Sequence, residues 1–262
     1  MRMIYWLLGI ALVGYVALCV LLYWQQEKLL FFPTKLASDY RYSFDQPFTE
    51  IALPVEGAVI NLVHFTRPAP KGVLLYLHGN GDIIARLAGV ANYFLELGYD
   101  VVIPDYRGYG KSSGSITNEQ ELHADMAAVY RYVQTHYPEQ QITLYGQSMG
   151  SGFAAYLAAH YRPARLILES PYYSMRDMVA IRLPWLPRFL LKYQLRTDLW
   201  IGEIVCPIYL IHGTSDPVIP YAASERLYSL IRGEKALLPV AGGGHNLLLG
   251  NSTVRAFLEK IL

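Results

Sequence analysis

Ile142-Thr143-Leu144-Tyr145-Gly146-Gln147-Ser148-Met149-Gly150 runs from an apolar strand straight into a Gly-x-Ser-x-Gly turn. The stretch behind it, Phe153-Ala154-Ala155-Tyr156-Leu157-Ala158-Ala159, has the composition of a helix. Strand, sharp turn and helix are the setting in which this pentapeptide presents a serine hydroxyl, because the two glycines admit a turn that side chains would block. The reading of this stretch as a nucleophile elbow organises the rest of the chain.

Outward from it, strand-like runs alternate with helix-like ones. Thr49–Leu53 and Val59–Phe65 have no helix between them and read as an antiparallel opening pair. Val73–Leu77 and Val101–Ile103 flank a helical stretch over Ile84–Leu97, and a helix over Glu119–Thr135 precedes Ile142–Tyr145. Leu166–Leu168 follows the elbow helix. Ile208–Ile211 and Ala236–Val240 flank the helix Ala222–Ile231, and Thr253–Ile261 closes the chain as an amphipathic helix. The middle strands are nearly all apolar, as strands covered on both faces must be. The pattern specifies an α/β fold: a mostly parallel central sheet with helices on both faces, whose ligands bind at the carboxyl ends of the strands. Residues 171–204 break the rhythm with Pro, aromatic and bulky apolar side chains. They are too long for an ordinary connection and read as a small helical cap with an apolar inner face.

From Met3 to Gln26 no side chain is charged. Ile4–Trp24 is about 31 Å long as a helix, against roughly 30 Å of bilayer hydrocarbon. Tyr5 and Trp6, then Tyr23 and Trp24, sit where interfacial aromatics belong. Ala17-Leu18-Cys19 is a poor cleavage site, so residues 1–27 read as an uncleaved single-pass transmembrane anchor of undetermined orientation. Residues 28–48 read as a connector near the membrane surface or packed on the domain, and residues 49–262 as the catalytic domain. A formal net charge of +1 over 262 residues offers no basic face for nucleic acid. The two cysteines, Cys19 and Cys206, suggest no disulfide framework, and no ligand spacing suggests a metal.

A serine needs a base to take its proton, and the base needs a third group to orient it. Asp216, just past Ile208–Ile211 in His212-Gly213-Thr214-Ser215-Asp216, outranks Asp198, Glu169 and Asp105 by position and chain order. Of the seven histidines, His245 in Gly242-Gly243-Gly244-His245-Asn246 alone lies at a strand's carboxyl end downstream of Asp216. The oxyanion donors expected are the backbone amides of Met149, after the nucleophile, and of Asn80 in His78-Gly79-Asn80-Gly81. His78 reads as a support and not a base. Asp105-Tyr-Arg-Gly-Tyr-Gly110-Lys-Ser112 fails as a phosphate loop, because Asp105 stands where that pattern requires glycine. Its turn reads as a rigid rim, with Arg107 paired to Asp105. Gly150-x-Gly152-x-x-Ala155 matches a dinucleotide pattern, but starts inside the helix. No cofactor is expected.

With these residues assembled, the chain resembles the α/β-hydrolase superfamily, specifically its membrane-anchored BEM46-like group. That group is related to serine aminopeptidase and monoacylglycerol-lipase-like hydrolases and to the ABHD17-type depalmitoylases. The resemblance spans about residues 28–262 and rests on Leu-Phe-Phe-Pro after the anchor, His78-Gly-Asn-Gly, Asp105-Tyr-Arg-Gly-Tyr-Gly-Lys-Ser, Gly146-Gln-Ser-Met-Gly, His212-Gly-Thr-Ser-Asp216 and Gly244-His245-Asn246. It implies Ser148, Asp216 and His245 as the triad and Asn80 and Met149 as oxyanion donors. Leu247 stands where related chains often carry an acid, and no cysteine cluster marks the N-terminus. The activity expected is hydrolysis of a carboxylic ester or thioester with an acyl or lipid-like substrate, lost at acid pH as the base becomes protonated. The alternatives are an aminopeptidase or amidase, with Asp177 or Asp198 holding a free amine, and a non-catalytic membrane scaffold.

Overall fold

The computed structural model describes residues 1–247 and 250–262. Eight strands form one sheet: β1 (Phe48–Val55), β2 (Ala58–Phe65), β3 (Gly72–Leu77), β4 (Tyr99–Pro104), β5 (Ile142–Gln147), β6 (Arg165–Glu169), β7 (Ile208–Gly213) and β8 (Lys235–Val240). Their spatial order is β1-β2-β4-β3-β5-β6-β7-β8. β1 pairs antiparallel with β2, and β2 antiparallel with β4; all later pairings are parallel. Each expected strand is present and extends one to three residues further than the apolar run alone suggests.

Nine α-helices accompany the sheet among the described residues: α1 (Arg2–Trp24), α2 (Gln26–Leu30), α3 (Ala88–Glu96), α4 (Glu119–Gln134), α5 (Met149–His160), α6 (Met175–Arg182), α7 (Thr197–Trp200), α8 (Ala222–Leu230) and α9 (Ser252–Ile261). The helical stretch expected over Ile84–Leu97 is split, with a 3-10 turn at Ile84–Arg86 leading into α3. Side chains alternate across a strand, and β3 shows how this builds two cores. Val73, Leu75 and Leu77 belong to the core shared with α4, α5 and α8, while Leu74 and Tyr76 belong to the core shared with α3 and α9.

After β3 the chain builds β4 on one side and then returns to place β5 on the other. This reversal opens a crevice beyond the carboxyl ends of β3 and β5. The His78–Gly81 loop and the elbow both sit there.

The cap is present, but its apolar side chains do not all point inward. Met175 and Met178 pack against the core, whereas Ile181, Trp185 and Phe189 are exposed and α6 has no buried residue. The connector packs on the domain: Phe31 and Tyr42 are buried, and Lys35 bridges Gly110 as a strand would. α1 stands clear of the sheet, with Cys19 its one buried residue. It is long and apolar enough to cross a membrane, with mean hydropathy 2.4.

Candidate active site

Ser148 follows β5 and caps α5 with φ +49° and ψ −117°, a region that L side chains rarely enter. Such a conformation costs about 1–3 kcal/mol and persists only where its surroundings impose it. Here the Ser148 amide donates to the Glu169 carbonyl (2.9 Å), and its carbonyl accepts from the Ser151 amide (3.0 Å) and hydroxyl (2.6 Å). The elbow glycines are required by space. A Cβ on Gly146 would stand 2.6 Å from the Gly150 carbonyl and 2.7 Å from the Ala154 methyl, and one on Gly150 would collide with the Leu77 carbonyl.

His245 lies across from the elbow on the loop after β8. Its Nε2 is 2.8 Å from the Ser148 hydroxyl, and its Nδ1 is 2.7 Å from Asp216 Oδ2. Serine, imidazole and carboxylate thus form one continuous line of hydrogen bonds, joining residues separated by 97 and 29 positions. The acid and histidine loops are laced together. The Ser215 amide donates to the Gly243 carbonyl (3.0 Å), and the Gly242 amide to the Thr214 hydroxyl (2.9 Å). Gly213 must be glycine because the Gly243 and Gly244 carbonyls occupy the place of its side chain.

Burial alone would raise the Asp216 carboxyl. Hydrogen bonds from His212, His245 and the Ile219 and Val218 amides overcome it and hold the group well below the usual carboxylate range. His212, which lies too close to Asp216 in sequence to be the expected base, proves to be the carboxylate's second imidazole partner (Nε2 to Oδ2, 3.1 Å). Since that nitrogen also faces the Ile219 carbonyl (3.0 Å), it carries the proton, and Nδ1 accepts from the Ser224 hydroxyl (2.6 Å).

Three further side chains hold the histidine loop, and sequence position alone gave them no such role. The Ser170 hydroxyl donates to the His245 carbonyl (2.8 Å), and Gln147 Nε2 to Asn246 Oδ1 (3.1 Å). Buried Glu169 accepts from the Leu247 amide (2.8 Å) and the Tyr145 hydroxyl (2.6 Å). Leu247, the departure from the related pattern, therefore contributes its backbone and a buried side chain.

Met149 opens α5, so its amide belongs to the unsatisfied first turn of that helix, which favours negative charge. Asn80 lies in the loop after β3, and its side chain has a structural task of its own. Oδ1 accepts from the Phe32 amide (3.0 Å) and the Tyr109 hydroxyl (2.7 Å), while Nδ2 donates to the Leu30 carbonyl (2.8 Å). The segment after the apolar helix is thereby strapped onto the loop.

Behind it, His78 and Asp105 are fully buried, 3.7 Å apart. Burial pushes the His78 imidazole down to about 4, against hydrogen bonds to the Gly79 and Pro104 carbonyls. Burial also pushes the Asp105 carboxyl up to about 7, against hydrogen bonds from the Ile84 amide and Tyr42. Arg107 does not pair with Asp105. It forms a bidentate bridge to Asp125 on α4 (2.9 and 2.8 Å), because the turn after β4 carries its side chain away from the strand end.

The family model described as serine aminopeptidase, S33 (Hydrolase_4) matches residues 68–201. An uncharacterised Mycobacterium tuberculosis protein is 31% identical over 96% of this chain and 94% of its own length. The chain belongs to the Hydrolase_4 family of α/β-hydrolases. This hydrolase is also 32% identical to the lysophosphatidylserine lipase ABHD12 of Danio rerio, over 63% of this chain and 48% of the lipase. A Pyrococcus furiosus esterase shares the fold with TM-score 0.67, at 18% identity over 88% of this chain and 96% of the esterase.

Proposed function

We propose that the protein is a membrane-anchored serine hydrolase that cleaves carboxylic ester or thioester bonds of acyl or lipid-like substrates. One observation carries this reading: the unbroken line from the Ser148 hydroxyl through His245 to Asp216. The Ser148 oxygen attacks the acyl carbon while His245 Nε2 takes its proton, and the imidazolium that forms is stabilised by Asp216. Negative charge develops on the carbonyl oxygen, toward which the Met149 and Asn80 amides supply donors. His245 returns the proton to the departing alcohol or thiol. Water then attacks the acyl-enzyme with the same base, releasing the acid and restoring Ser148.

The acyl preference rests on the apolar cap and on the apolar N-terminal helix, which serves as the anchor. An amidase acting on free amines would need an unpaired carboxylate beneath the cap. Asp177 is bound by Arg226 (2.9 Å) and Asp198 by Arg196 (2.8 and 2.6 Å), which favours the ester reading.

The test is labelling with a fluorophosphonate probe, followed by an acyl-chain-length series of aryl esters and by amino-acid anilides. The wild type labels and prefers medium or long chains over anilides, while Ser148→Ala neither labels nor turns over. A Ser148→Ala protein that keeps its activity removes the proposal. A wild type that never labels returns the non-catalytic scaffold.

A further inference from the structure

The cap meets the N-terminal helix and the turn that follows it at two levels, and the geometry of those contacts bears on where the membrane lies. Gln26 is the level mark at one end. Its Nε2 donates to the Leu190 carbonyl (2.7 Å), and its Oε1 accepts from the Lys192 amide (2.8 Å). The Lys192 ammonium pairs with Glu27 (3.1 Å) and lies 4.6 Å from the Tyr23 ring centre and 5.7 Å from that of Trp24. Cation, carboxylate and aromatic rings together are the chemistry of a headgroup layer.

At the other end, the Tyr15 hydroxyl donates to the Trp185 carbonyl (3.0 Å), with the two rings edge to face at 6.4 Å. Tyr15 lies eight residues before Tyr23, about 12 Å along a helix axis. One leaflet's hydrocarbon is about 15 Å deep. If α1 spans the bilayer from Tyr5 to Trp24, Trp185 cannot sit outside it.

The segment is suited to that depth. Pro184 and Pro187 have no amide hydrogen to bury, the Leu186 amide donates to the Leu183 carbonyl (3.0 Å), and the Leu190 amide donates to the Pro187 carbonyl (3.1 Å). The Tyr15 hydroxyl, a polar group midway along an apolar helix, is satisfied by the cap. Phe189 is 83% exposed and Trp185 45% exposed, far more than a water-facing turn needs to leave uncovered. An apolar crevice of about 370 Å³ lies between Tyr15, Val16, Cys19, Tyr23, Phe189 and Leu190. Arg188, the one charge here, is two residues from the Gln26 level and can extend its head to the phosphates.

We propose that the cap turn Trp185–Leu190 is immersed in the acyl-chain layer of the leaflet beside α1, so that the cap and the anchor are one membrane-inserted unit. The proposal rests on the anchor reading above, and its occupant is lipid hydrocarbon. Charged headgroups meet Lys192 and Arg188, and acyl chains cover Trp185 and Phe189.

The test uses the full chain in phosphatidylcholine vesicles whose chains are brominated at shallow or deep carbons. One variant keeps Trp185 alone (Trp6, Trp24 and Trp200→Phe), and another keeps Trp24 alone. A third replaces all four tryptophans by Phe and carries Phe189→Trp, which covers the case in which the first fails to fold. Fluorescence from Trp185, and from the indole that Phe189→Trp introduces, is expected to fall at least twofold with deep bromines and to resist aqueous acrylamide. Trp24 responds best to shallow bromines. Quenching by acrylamide and not by bromine, in protein that still resists carbonate extraction, overturns the immersed cap and leaves the anchor standing. Protection from both quenchers means that a protein surface covers the turn, and overturns it equally. Protein that washes off the vesicles defeats both readings.

Discussion

Asp216 receives four hydrogen bonds, two from imidazoles and two from backbone amides, and this sets how the site responds to acid. Its folded-state value is depressed, so its contribution to stability is complete above the ordinary carboxylate range and is lost progressively as pH falls from there through the folded value. The carboxylate therefore stays charged wherever the enzyme works. The acid limb of log kcat/KM against pH is expected to have unit slope, because Asp216 takes up no second proton there. A slope of two in the same profile would mean that Asp216 titrates as well. Asp216→Asn keeps the shape but loses the charge, and kcat should fall on the order of 10⁴-fold by analogy with serine-protease triads. The His78–Asp105 pair gives a prediction of the opposite kind. Between about 4 and about 6.5 the folded pair holds one proton on Asp105, and the unfolded pair also holds one, on the histidine. Their separate effects cancel: Asp105 loses stability as pH rises through that window and His78 gains it. Asp105→Asn removes the cancelling partner. Thermal midpoints of that variant should climb from pH 4.5 to 6.5, by an amount equivalent to about 2 kcal/mol, while the wild type stays nearly level across the same series.

At the scale of elements, the strap Leu30–Thr34 connects the start of the chain to the His78–Gly81 loop, the proposed source of an oxyanion donor. Asn80 is gripped by Leu30 and Phe32, Thr34 donates to the Gly81 carbonyl (3.3 Å), and the Gly110 amide donates to the Thr34 carbonyl (2.8 Å). Asn80→Ala retains the backbone donor but frees the loop that carries it. We expect kcat to fall about 10²-fold with KM nearly unchanged, since a displaced donor is lost chiefly to the transition state. Steady-state kinetics on one aryl ester read both constants. The strands, the elbow and the order of the serine, acid and histidine loops were legible in the sequence, because each depends on local pattern: apolar runs for the strands and glycines where the backbone must pass close. What was not legible depends on side-chain reach across the fold. Arg107 finds Asp125 because α4 comes to lie beside the turn after β4, and no spacing rule selects that partner over Asp105. His212 is set aside as a base on sequence distance, yet the tight turn from Gly213 to Asp216 folds its ring back onto the same carboxylate. The outward apolar side chains of the cap have no periodic signal, because their partner is another element and not the sheet.

For the whole molecule, the boundary between the apolar helix and the folded domain does not fall where the hydropathy falls. Up to Trp24, α1 adds little to the packed body; Cys19 is its single buried residue. From Gln26 onward the chain is built into the enzyme. Gln26 and Glu27 bind the cap, Phe31 is buried with its ring 4.9 Å from that of Tyr193, and Leu30 and Phe32 hold Asn80. Two truncations ten residues apart should therefore behave differently. Removal of residues 1–24 leaves every contact to Asn80 intact, so hydrolysis of a water-soluble short-chain ester in detergent should be close to that of the full chain. Removal of residues 1–34 takes away the strap, the Phe31–Tyr193 contact and the bridge to the cap. Short-chain turnover should then fall by about 10²-fold or more, as for a lost oxyanion donor, with a lower thermal midpoint. Active-site titration with a fluorophosphonate separates a misaligned site, which labels slowly but fully, from an unfolded fraction, which never labels. Equal activity in the two truncated proteins would show that the strap is only a tether, and that the oxyanion loop holds its shape without it.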